Sequence, residues 1–225
     1  MKIRWFGQAA FLLSAGPRVA IDPFGPGEAM AARGFKFAYP TIEGVEADLL
    51  LVTHEHFDHN AVETVGGEPQ TIRSTAGRFD SPVGEVVAVA SEHDDVAGTS
   101  RGPNTIFCFE LDGLRICHLG DLGQHALRPE QRQAIGKVDV LLLPIGGGPT
   151  VGGEAAAAIV RELEPRLVVP MHYRTEAVDF LEPPDAFLEA LGDTAVERLD
   201  TAECDTDVLL AQRSATLVAL LAAPR

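Results

Sequence analysis

The sequence predicts an α/β protein in which two mixed β-sheets pack together and helices cover their outer faces. Short apolar runs separated by turn residues come first along the chain, and strand patterns that alternate with helical patterns follow. The chain has 225 residues, of which 46% are hydrophobic and 23% are charged, so it can bury a core without disulfides. We expect a single domain over residues 1–225.

The first strands are expected to form an antiparallel meander. Two or three apolar runs lie between residues 3 and 21, and they are interrupted by Gly7-Gln8 and by Gly16-Pro17. Residues 48–53 are apolar without alternation, which predicts a strand covered on both faces. Ionisable residues crowd directly after that strand, so its carboxyl end is the first candidate for a functional site.

The remaining elements complete the layered pattern. We predict strands over residues 86–90, 105–111, 114–119, 138–144 and 167–171, with Asp112-Gly113 as a hairpin turn. A helix is predicted over residues 153–164, with its apolar face at Ala155, Ala158, Ile159 and Leu163. A second helix, over residues 184–191, has Ala186, Phe187, Ala190 and Leu191 on one side.

Charge and cysteine content limit the classes of function and compartment. The formal net charge of −15 makes the chain a poor candidate for binding nucleic acid or an anionic membrane, so we expect a small-molecule substrate. The three cysteines lack Cys-x-x-Cys spacing, and no apolar run approaches the length of a membrane span or of a signal-peptide core. These features predict a cytoplasmic protein, and they leave its oligomeric state open.

The segment His54-x-His56-x-Asp58-His59 predicts a metal site. Three imidazoles and two carboxylates, including Glu55, lie within six residues, and packing alone does not explain so many polar groups. In a turn that leaves a sheet, His54 and His56 can converge on one divalent ion while Asp58 and His59 face a neighbouring ion. Imidazole nitrogen and carboxylate oxygen suit Zn²⁺ and similar ions. The alternative is a solvated acidic loop with incidental histidines.

This segment resembles the HxHxDH signature of the metallo-β-lactamase superfamily. The resemblance extends to Ile21-Asp22-Pro23, to His93, to Gly120-Asp121 and to Pro170-Met171-His172-Tyr173. Within the superfamily, the chain is most similar to the branch of L-ascorbate-6-phosphate lactonase and of the phospholipase D that cleaves N-acyl-phosphatidylethanolamine. The resemblance implies a four-layer αββα sandwich with a dinuclear site along one edge.

The resemblance also implies a role for individual residues. It assigns His54, His56 and His93 to a first metal and Asp58, His59 and His172 to a second, with Asp121 bridging the two. Asp22 is expected beneath the metal loop, where it would hold the loop by hydrogen bonds. Relatives often have histidine at the position of Gln8, which puts a proton-transfer role there in doubt. The two ions are expected to be zinc, with manganese, iron or nickel as alternatives.

Simpler roles compete with some of these assignments. His93 has three acidic neighbours that favour a surface ion pair, and Asp121 alone would be interpreted as a capping residue. His118 lies in a strand and should face away from Asp121, so we expect it in the core or behind the ligands. His125 is expected to be a solvated side chain.

The predicted activity is hydrolysis by a hydroxide that bridges the two metals, with Asp58 and Asp121 as the catalytic carboxylates. The substrate would be a small ester, lactone or phosphodiester. Alternatives are a catalytically silent metal-binding regulatory or interaction protein, a nuclease or phosphodiesterase of the same superfamily, and an oxygen-reducing diiron protein.

Candidate substrate contacts are Arg101, Tyr173 and Arg174, because they could bind a phosphate or carboxylate; ordinary surface arginines are the alternative. The segment 24–39 contains several glycines together with Phe24, Phe35, Phe37 and Tyr39. It is expected to form a mobile lid whose aromatic side chains wall off an apolar pocket, or else a packed connection. Residues 146–149 are expected to form a turn that permits close approach to the site.

Overall fold

The computed structural model describes residues 1–211 and 213–225. The described strands are β1 (Lys2–Gly7), β2 (Ala10–Ser14), β3 (Arg18–Ile21), β4 (Val45–Glu46), β5 (Leu49–Val52), β6 (Val65–Gly66), β7 (Gln70–Arg73), β8 (Gly77–Ser81), β9 (Gly84–Glu92), β10 (Pro103–Leu111), β11 (Leu114–His118), β12 (Val140–Pro144), β13 (Leu167–Met171), β14 (Ala195–Arg198), β15 (Glu203–Asp205) and β16 (Leu217–Leu220). The helices are α1 (Glu28–Ala31), α2 (Pro129–Ile135), α3 (Gly153–Leu163), α4 (Asp185–Leu191) and α5 (Thr206–Leu209), with a 3₁₀ turn at Val62–Thr64.

Both large sheets are mixed, as the sequence predicted. The six-stranded sheet has the order β15-β1-β2-β3-β5-β7, and it changes from antiparallel to parallel pairing between β3 and β5. The eight-stranded sheet has the order β14-β16-β13-β12-β11-β10-β9-β8 and is antiparallel only from β11 to β8. Strands β4 and β6 form a separate short pair. The predicted meander and the hairpin at Asp112-Gly113 are confirmed.

Side chains alternate between two apolar clusters on either side of the six-stranded sheet. Phe11 and Leu13 of β2 belong to the main core, which also contains residues of the eight-stranded sheet and of α3. Ala10 of the same strand faces a second cluster, which includes Phe24 and Tyr39. This side of the sheet is therefore covered mainly by the chain between β3 and β5, and α1 is the short helix within that cover.

The helix over residues 153–164 exists, but its buried face differs from the predicted one. Helix α3 buries Ile159, as predicted, together with Ala156, Ala157 and Val160, whereas Ala155 and Leu163 are half-buried and Ala158 is exposed. In the second predicted helix, α4, Phe187 and Leu191 are buried as expected, but Ala186 is exposed. The interval between buried positions is helical in both segments, and the error lies in the rotation of the helix about its axis.

The direction of the strands brings several turns to one edge of the molecule. In the six-stranded sheet, β1, β3 and β5 run in the same direction, and in the eight-stranded sheet β9, β11, β12 and β13 do so. The residues that follow these strands include every candidate metal ligand. No helix within the described residues is long and apolar enough to cross a bilayer.

Candidate metal centre

Each candidate ligand follows a strand that ends at the common edge. His54 is two residues beyond β5, His93 directly follows β9, Asp121 is three residues beyond β11, and His172 directly follows β13. The turn from Thr53 to Asn60 then brings three further candidate ligands back toward His54. Side chains that are distant in the sequence therefore converge because their strands end at the same place.

Three groups of side chains have the spacing of metal ligands, and one of them, His54, His59 and Asp121, connects the other two. His54, His56 and His93 form the first group, in which the possible ligand atoms all lie within 4.8 Å of one another. Asp58, His59 and His172 form the second group under the same limit. Within the first group, His54 Nε2 lies 3.0 Å from His56 Nδ1. These are the two sets that the resemblance implied.

Asp121 lies between the two groups. Its Oδ2 atom is 3.1 Å from Nε2 of His93 and 4.0 Å from Nε2 of His54, both in the first group. The same oxygen is 3.3 Å from Nε2 of His59 and 3.2 Å from Nε2 of His172, both in the second group. One buried carboxylate oxygen is therefore within reach of both groups, as a bridging ligand would be.

Hydrogen bonds orient three of the histidines so that Nε2 faces the centre. His59 Nδ1 lies 3.0 Å from Asp22 Oδ2, and His93 Nδ1 lies 2.8 Å from the Pro149 carbonyl oxygen. His54 Nδ1 lies 3.0 Å from Thr53 Oγ1. A histidine whose Nδ1–H is donated in this way presents the lone pair of Nε2, which is the form that binds a cation.

Asp22 holds the metal loop from below. Its Oδ1 accepts a hydrogen bond from the Thr53 backbone N–H at 2.7 Å, and its Oδ2 accepts one from Thr53 Oγ1 at 2.6 Å and faces His59. The carboxylate is completely buried. Because it fixes both ends of the turn from Thr53 to His59, it determines where the ligands stand.

Asn104 and His118 hold the turn that presents Asp121. The Asp121 backbone N–H donates to Asn104 Oδ1 at 3.0 Å, and the Gly120 backbone N–H donates to His118 Nδ1 at 3.0 Å. His118 Nε2 lies 2.9 Å from the carbonyl oxygen of Ala9 and is fully buried behind the ligands. Sequence reasoning missed Asn104, because an asparagine at the start of a strand gives no signal of its tertiary partner.

Close packing of backbone requires glycine at two positions around the centre. A Cβ atom on Gly120, whose φ is +56°, would meet Asn104 Oδ1 and Thr53. A Cβ atom on Gly146 would meet the carbonyl oxygen of His172. The latter contact agrees with the expectation that residues 146–149 allow close approach to the site.

Buried polar atoms without partners support the presence of cations. Among the described residues, the fully buried side-chain atoms that lack a hydrogen-bond partner are Gln8 Oε1, His59 Nε2, Asp121 Oδ1 and His172 Nδ1. All four belong to this one centre, whereas such atoms are rare and costly elsewhere in folded proteins. The donor set, which is imidazole nitrogen and carboxylate oxygen, suits first-row divalent ions. The residues therefore fit a metal centre.

The electrostatics of the centre also favour a cation. Burial lowers the pKa of His54, His56 and His172, so these rings are neutral at neutral pH and keep a lone pair for a metal. Burial would also lower the pKa of His59, but the carboxylates of Asp121, Asp58 and Asp22 outweigh it and raise that pKa well above its ordinary value. An excess of negative charge therefore surrounds His59, and a divalent ion would balance it.

Three residues of the centre have backbone conformations that are unusual for side-chain-bearing residues. Gln8 and Asp22 both have φ of +46°, and His172 has φ of +50°. Each stands immediately after a strand, β1, β3 and β13 respectively. The left-handed conformation turns the chain sharply at the strand end and so directs the side chain into the centre.

A cavity of about 630 Å³ opens onto the centre. Five candidate ligands line it, namely His56, Asp58, His93, Asp121 and His172. The rest of its lining includes the apolar side chains of Met30, Phe35, Phe57 and Phe180 and the cationic side chains of Arg33 and Arg101. A small molecule in this cavity would contact the ligands, an apolar wall and two positive charges.

The predicted substrate contacts have different outcomes. Arg101 lines the cavity, and the Asp94 carboxylate holds its loop by accepting backbone N–H groups of residues 96, 98, 100 and 101. Tyr173 does not line this cavity: it is buried, stacks on Trp5 and directs its hydroxyl at a backbone carbonyl. Arg174 donates its Nε–H to the Leu181 carbonyl oxygen outside the cavity lining. The buried position of Tyr173 therefore contradicts its predicted contact with substrate, and Arg174 lies outside the lining of this cavity.

The segment 24–39 divides into a buried part and a part at the cavity. Phe24, Phe37 and Tyr39 are buried and pack on one another, with ring centroids of Phe24 and Phe37 5.0 Å apart. The expectation that these three rings wall off the pocket is therefore wrong. Phe35 does reach the cavity, where its ring lies 5.0 Å from that of Phe180. His125 is exposed, as expected for a solvated side chain.

Comparisons with known proteins assign the chain to a family. The family model described as the beta-lactamase superfamily domain matches residues 2–172. A UPF0173 metal-dependent hydrolase of Thermococcus kodakarensis is 34% identical over 226 residues, covering 87% of this chain and 94% of the relative. A UPF0173 metal-dependent hydrolase of Thermococcus onnurineus is 35% identical over 218 residues with the same coverage.

A solved structure supports the same assignment. It is a protein of Thermotoga maritima, provisionally described as a Zn-dependent hydrolase of the metallo-beta-lactamase superfamily. It matches with a TM-score of 0.76 and 32% sequence identity over 98% of both chains. The αββα fold class is thereby confirmed. The chain therefore belongs to the metallo-β-lactamase superfamily of metal-dependent hydrolases and, within it, to the UPF0173 family.

Proposed function

We propose that the protein is a dinuclear hydrolase that cleaves a small ester, lactone or phosphodiester. The observation that carries this proposal is the position of Asp121 Oδ2, which lies within 4.0 Å of histidine nitrogens from both ligand groups. His54, His56 and His93 would hold one ion, and Asp58, His59 and His172 the other. When bound, two divalent ions lower the pKa of a shared water and polarise the bond to be cleaved.

The residues around the cavity divide the remaining work. Asp58 lines the cavity at the second group and is partly exposed, so its carboxylate can accept a proton from the attacking water or pass one to the leaving group. Asp121 is buried, and its ordered position sets the separation of the two groups. No serine or cysteine nucleophile is needed for this chemistry.

Arg101 is the group we propose for binding an anionic part of the substrate. It lines the cavity beside the ligands, and among the described residues no carboxylate lies within salt-bridge distance of its guanidinium. The protein as a whole carries a net charge of −15, so the positive charge of Arg101 at the cavity is opposite in sign to the net charge of the protein. A phosphate or carboxylate group could accept two hydrogen bonds from it.

Several finer points stay proposals. We propose zinc as the first choice of metal, because both groups are rich in imidazole. Membership of the branch that contains L-ascorbate-6-phosphate lactonase and the phospholipase D that cleaves N-acyl-phosphatidylethanolamine stays a prediction. The type of substrate that this branch implies stays a prediction as well. A cytoplasmic location also stays a prediction.

The experiment that tests the proposal is metal analysis followed by a substrate screen. Lactones, carboxyl esters, thioesters and phosphodiesters are tested with the wild type, with Asp121→Ala and with Asp139→Ala. Asp139→Ala is the control, because the wild-type Asp139 carboxylate accepts a hydrogen bond from the Arg115 backbone N–H and is not a candidate ligand. We expect turnover of one substrate class that Asp121→Ala loses and Asp139→Ala keeps. A protein with two bound metals that turns over none of them would favour the metal-binding regulatory alternative.

The role of Arg101 has its own measurement. For an anionic substrate found in that screen, Arg101→Ala should raise KM about tenfold, the value of one hydrogen bond to a charged group at an exposed site. Arg174→Ala removes an arginine outside the cavity lining and should leave KM unchanged. Equal effects of the two variants would contradict the proposed contact.

A further inference from the structure

Gln8 stands at the centre without a role in the scheme above. It directly follows β1, it is completely buried, and its φ of +46° is in the left-handed region. Its backbone carbonyl oxygen accepts hydrogen bonds from Trp5 Nε1 at 2.9 Å and from the His172 backbone N–H at 3.2 Å. The backbone of Gln8 is therefore fixed against the loop that carries His172.

The side-chain amide of Gln8 reaches the second ligand group. Its Nε2 atom lies 3.3 Å from His172 Nε2 and 3.5 Å from Asp58 Oδ2, while its Oε1 atom has no hydrogen-bond partner. With a cation on His172 Nε2, that nitrogen has no lone pair left to accept an N–H. The amide is therefore better placed with its two ends exchanged, since oxygen and nitrogen of an amide occupy nearly the same shape.

The exchanged orientation gives the oxygen the spacing of a ligand. Neighbouring ligand atoms on an ion with five ligands, each at 2.0 to 2.1 Å and separated by angles of 90° to 120°, are about 2.8–3.6 Å apart. The amide atom that approaches His172 and Asp58 has these separations from both. Asp58 and His172 are themselves members of the second group, so the three atoms lie where ligands of a single ion lie.

The geometry points to Gln8 as an oxygen ligand of the second metal position, an inference that rests on the dinuclear function proposed above. The first position then has three imidazoles and the shared Asp121. The second has two imidazoles and three side chains that bind through oxygen, which are Asp58, Asp121 and Gln8. Oxygen ligands and a larger ligand number favour ions such as Mn²⁺, so the two positions differ in metal preference.

The test measures binding at the second position in four proteins: wild type, Gln8→Met, Gln8→Glu and Gln131→Met. Methionine keeps the volume of glutamine but has no oxygen, and glutamate keeps an oxygen. Gln131 is a control, because it is also a buried glutamine but its amide contacts Gln124 and a backbone carbonyl. Apo-protein is titrated with Co²⁺ and with Mn²⁺, and affinity, stoichiometry and the Co²⁺ absorption spectrum are recorded, with circular dichroism as a check of folding.

We expect Gln8→Met to lower the affinity for the second equivalent at least about tenfold and to leave the first equivalent unchanged. Its Co²⁺ spectrum should intensify as the ligand number falls. Gln8→Glu should bind the second equivalent at least as tightly as the wild type, and Gln131→Met should match the wild type throughout.

Two results would overturn the assignment alone. One is a second equivalent that binds to Gln8→Met as it does to the wild type. The other is a Gln8→Glu variant that is weakened like Gln8→Met, which would show that the amide acts through its N–H on Asp58. A wild type that binds a single equivalent would overturn both this assignment and the dinuclear function.

Discussion

Replacing Asp22 by asparagine should damage metal binding more than folding. Asparagine has the same shape and tolerates the left-handed backbone of this position, which has φ of +46°. Its Oδ1 can still accept the Thr53 backbone N–H, but an NH₂ group replaces Oδ2, which faces Thr53 Oγ1 and His59 Nδ1. Because the asparagine NH₂ is a hydrogen-bond donor, His59 must accept at Nδ1. Its proton then lies on Nε2, the atom that faces Asp121.

The magnitude follows from these contacts. A change in the partner that orients a metal-binding histidine typically costs 10–100-fold in affinity, or about 1.4–2.8 kcal/mol. The metal-free protein loses less, because His59 can pair again with asparagine in its other tautomer. The asparagine NH₂ can donate to Thr53 Oγ1, which lies 2.6 Å from the carboxylate, so a neutral hydrogen bond replaces a charge-assisted one and the free energy of unfolding should fall by only about 1 kcal/mol.

Competition with a chelator measures the metal affinity, and urea unfolding of metal-free protein measures the stability. Asp48→Asn is the matched control, because that carboxylate also accepts a backbone N–H, from Arg18 at 2.7 Å, but at the opposite end of β5. We expect the control to bind metal like the wild type. Wild-type affinity in Asp22→Asn would refute the argument that Asp22 sets the tautomer of His59.

Three further predictions follow from the centre and the core. Removal of metal by a chelator should lower the melting temperature, since metal bound at this centre would join turns from both sheets, and an unchanged value after verified removal would contradict this. Gly123→Ala should weaken metal binding at least about tenfold, because the added Cβ would lie 2.5 Å from the backbone carbonyl carbon of His93. Gly66→Ala is the control: its added Cβ would have its nearest neighbouring atom at 3.6 Å, so this variant should bind metal like the wild type. Burial raises the pKa of Tyr39 to about 12 and also raises that of Tyr173. In the unfolded chain the two tyrosines ionise near pH 10. The free energy of unfolding should therefore fall between about pH 10 and 12, by up to about 1.4 kcal/mol per pH unit for each tyrosine. A titration that follows tyrosinate absorbance should show no ionisation of these tyrosines before the protein unfolds.

The fold was predictable where the sequence carries strong periodicity. The uninterrupted apolar run of β5 and the Asp112-Gly113 turn predicted their elements correctly. Short edge strands such as β8 (Gly77–Ser81) and β15 (Glu203–Asp205) were missed, because polar edge strands lack both an apolar run and a regular alternation. The face of α3 was misplaced because four consecutive alanines, residues 155–158, give no information about which side of the helix is buried.

The residues brought to the centre were predictable only where a local pattern marks them. The HxHxDH segment is such a pattern, whereas His93, Asp121 and His172 were assigned by the resemblance to the superfamily, and their positions after apolar strands only agreed with that assignment. Tyr173 was misjudged because proximity in sequence does not determine direction: it adjoins His172, yet its ring is buried against Trp5. The contacts of Asn104 and Asp94 depend on tertiary structure, so no local pattern identifies them.

The three left-handed residues Gln8, Asp22 and His172 set a limit on how far this enzyme can be made heat-resistant. Each such conformation costs about 1–3 kcal/mol, and the surrounding sheets must compensate for it. Glycine at any of the three would relax the backbone, but it would also delete a side chain of the centre. Substitutions intended to raise the melting temperature should therefore begin at other positions, since the side chains of these three residues serve the centre at the expense of stability.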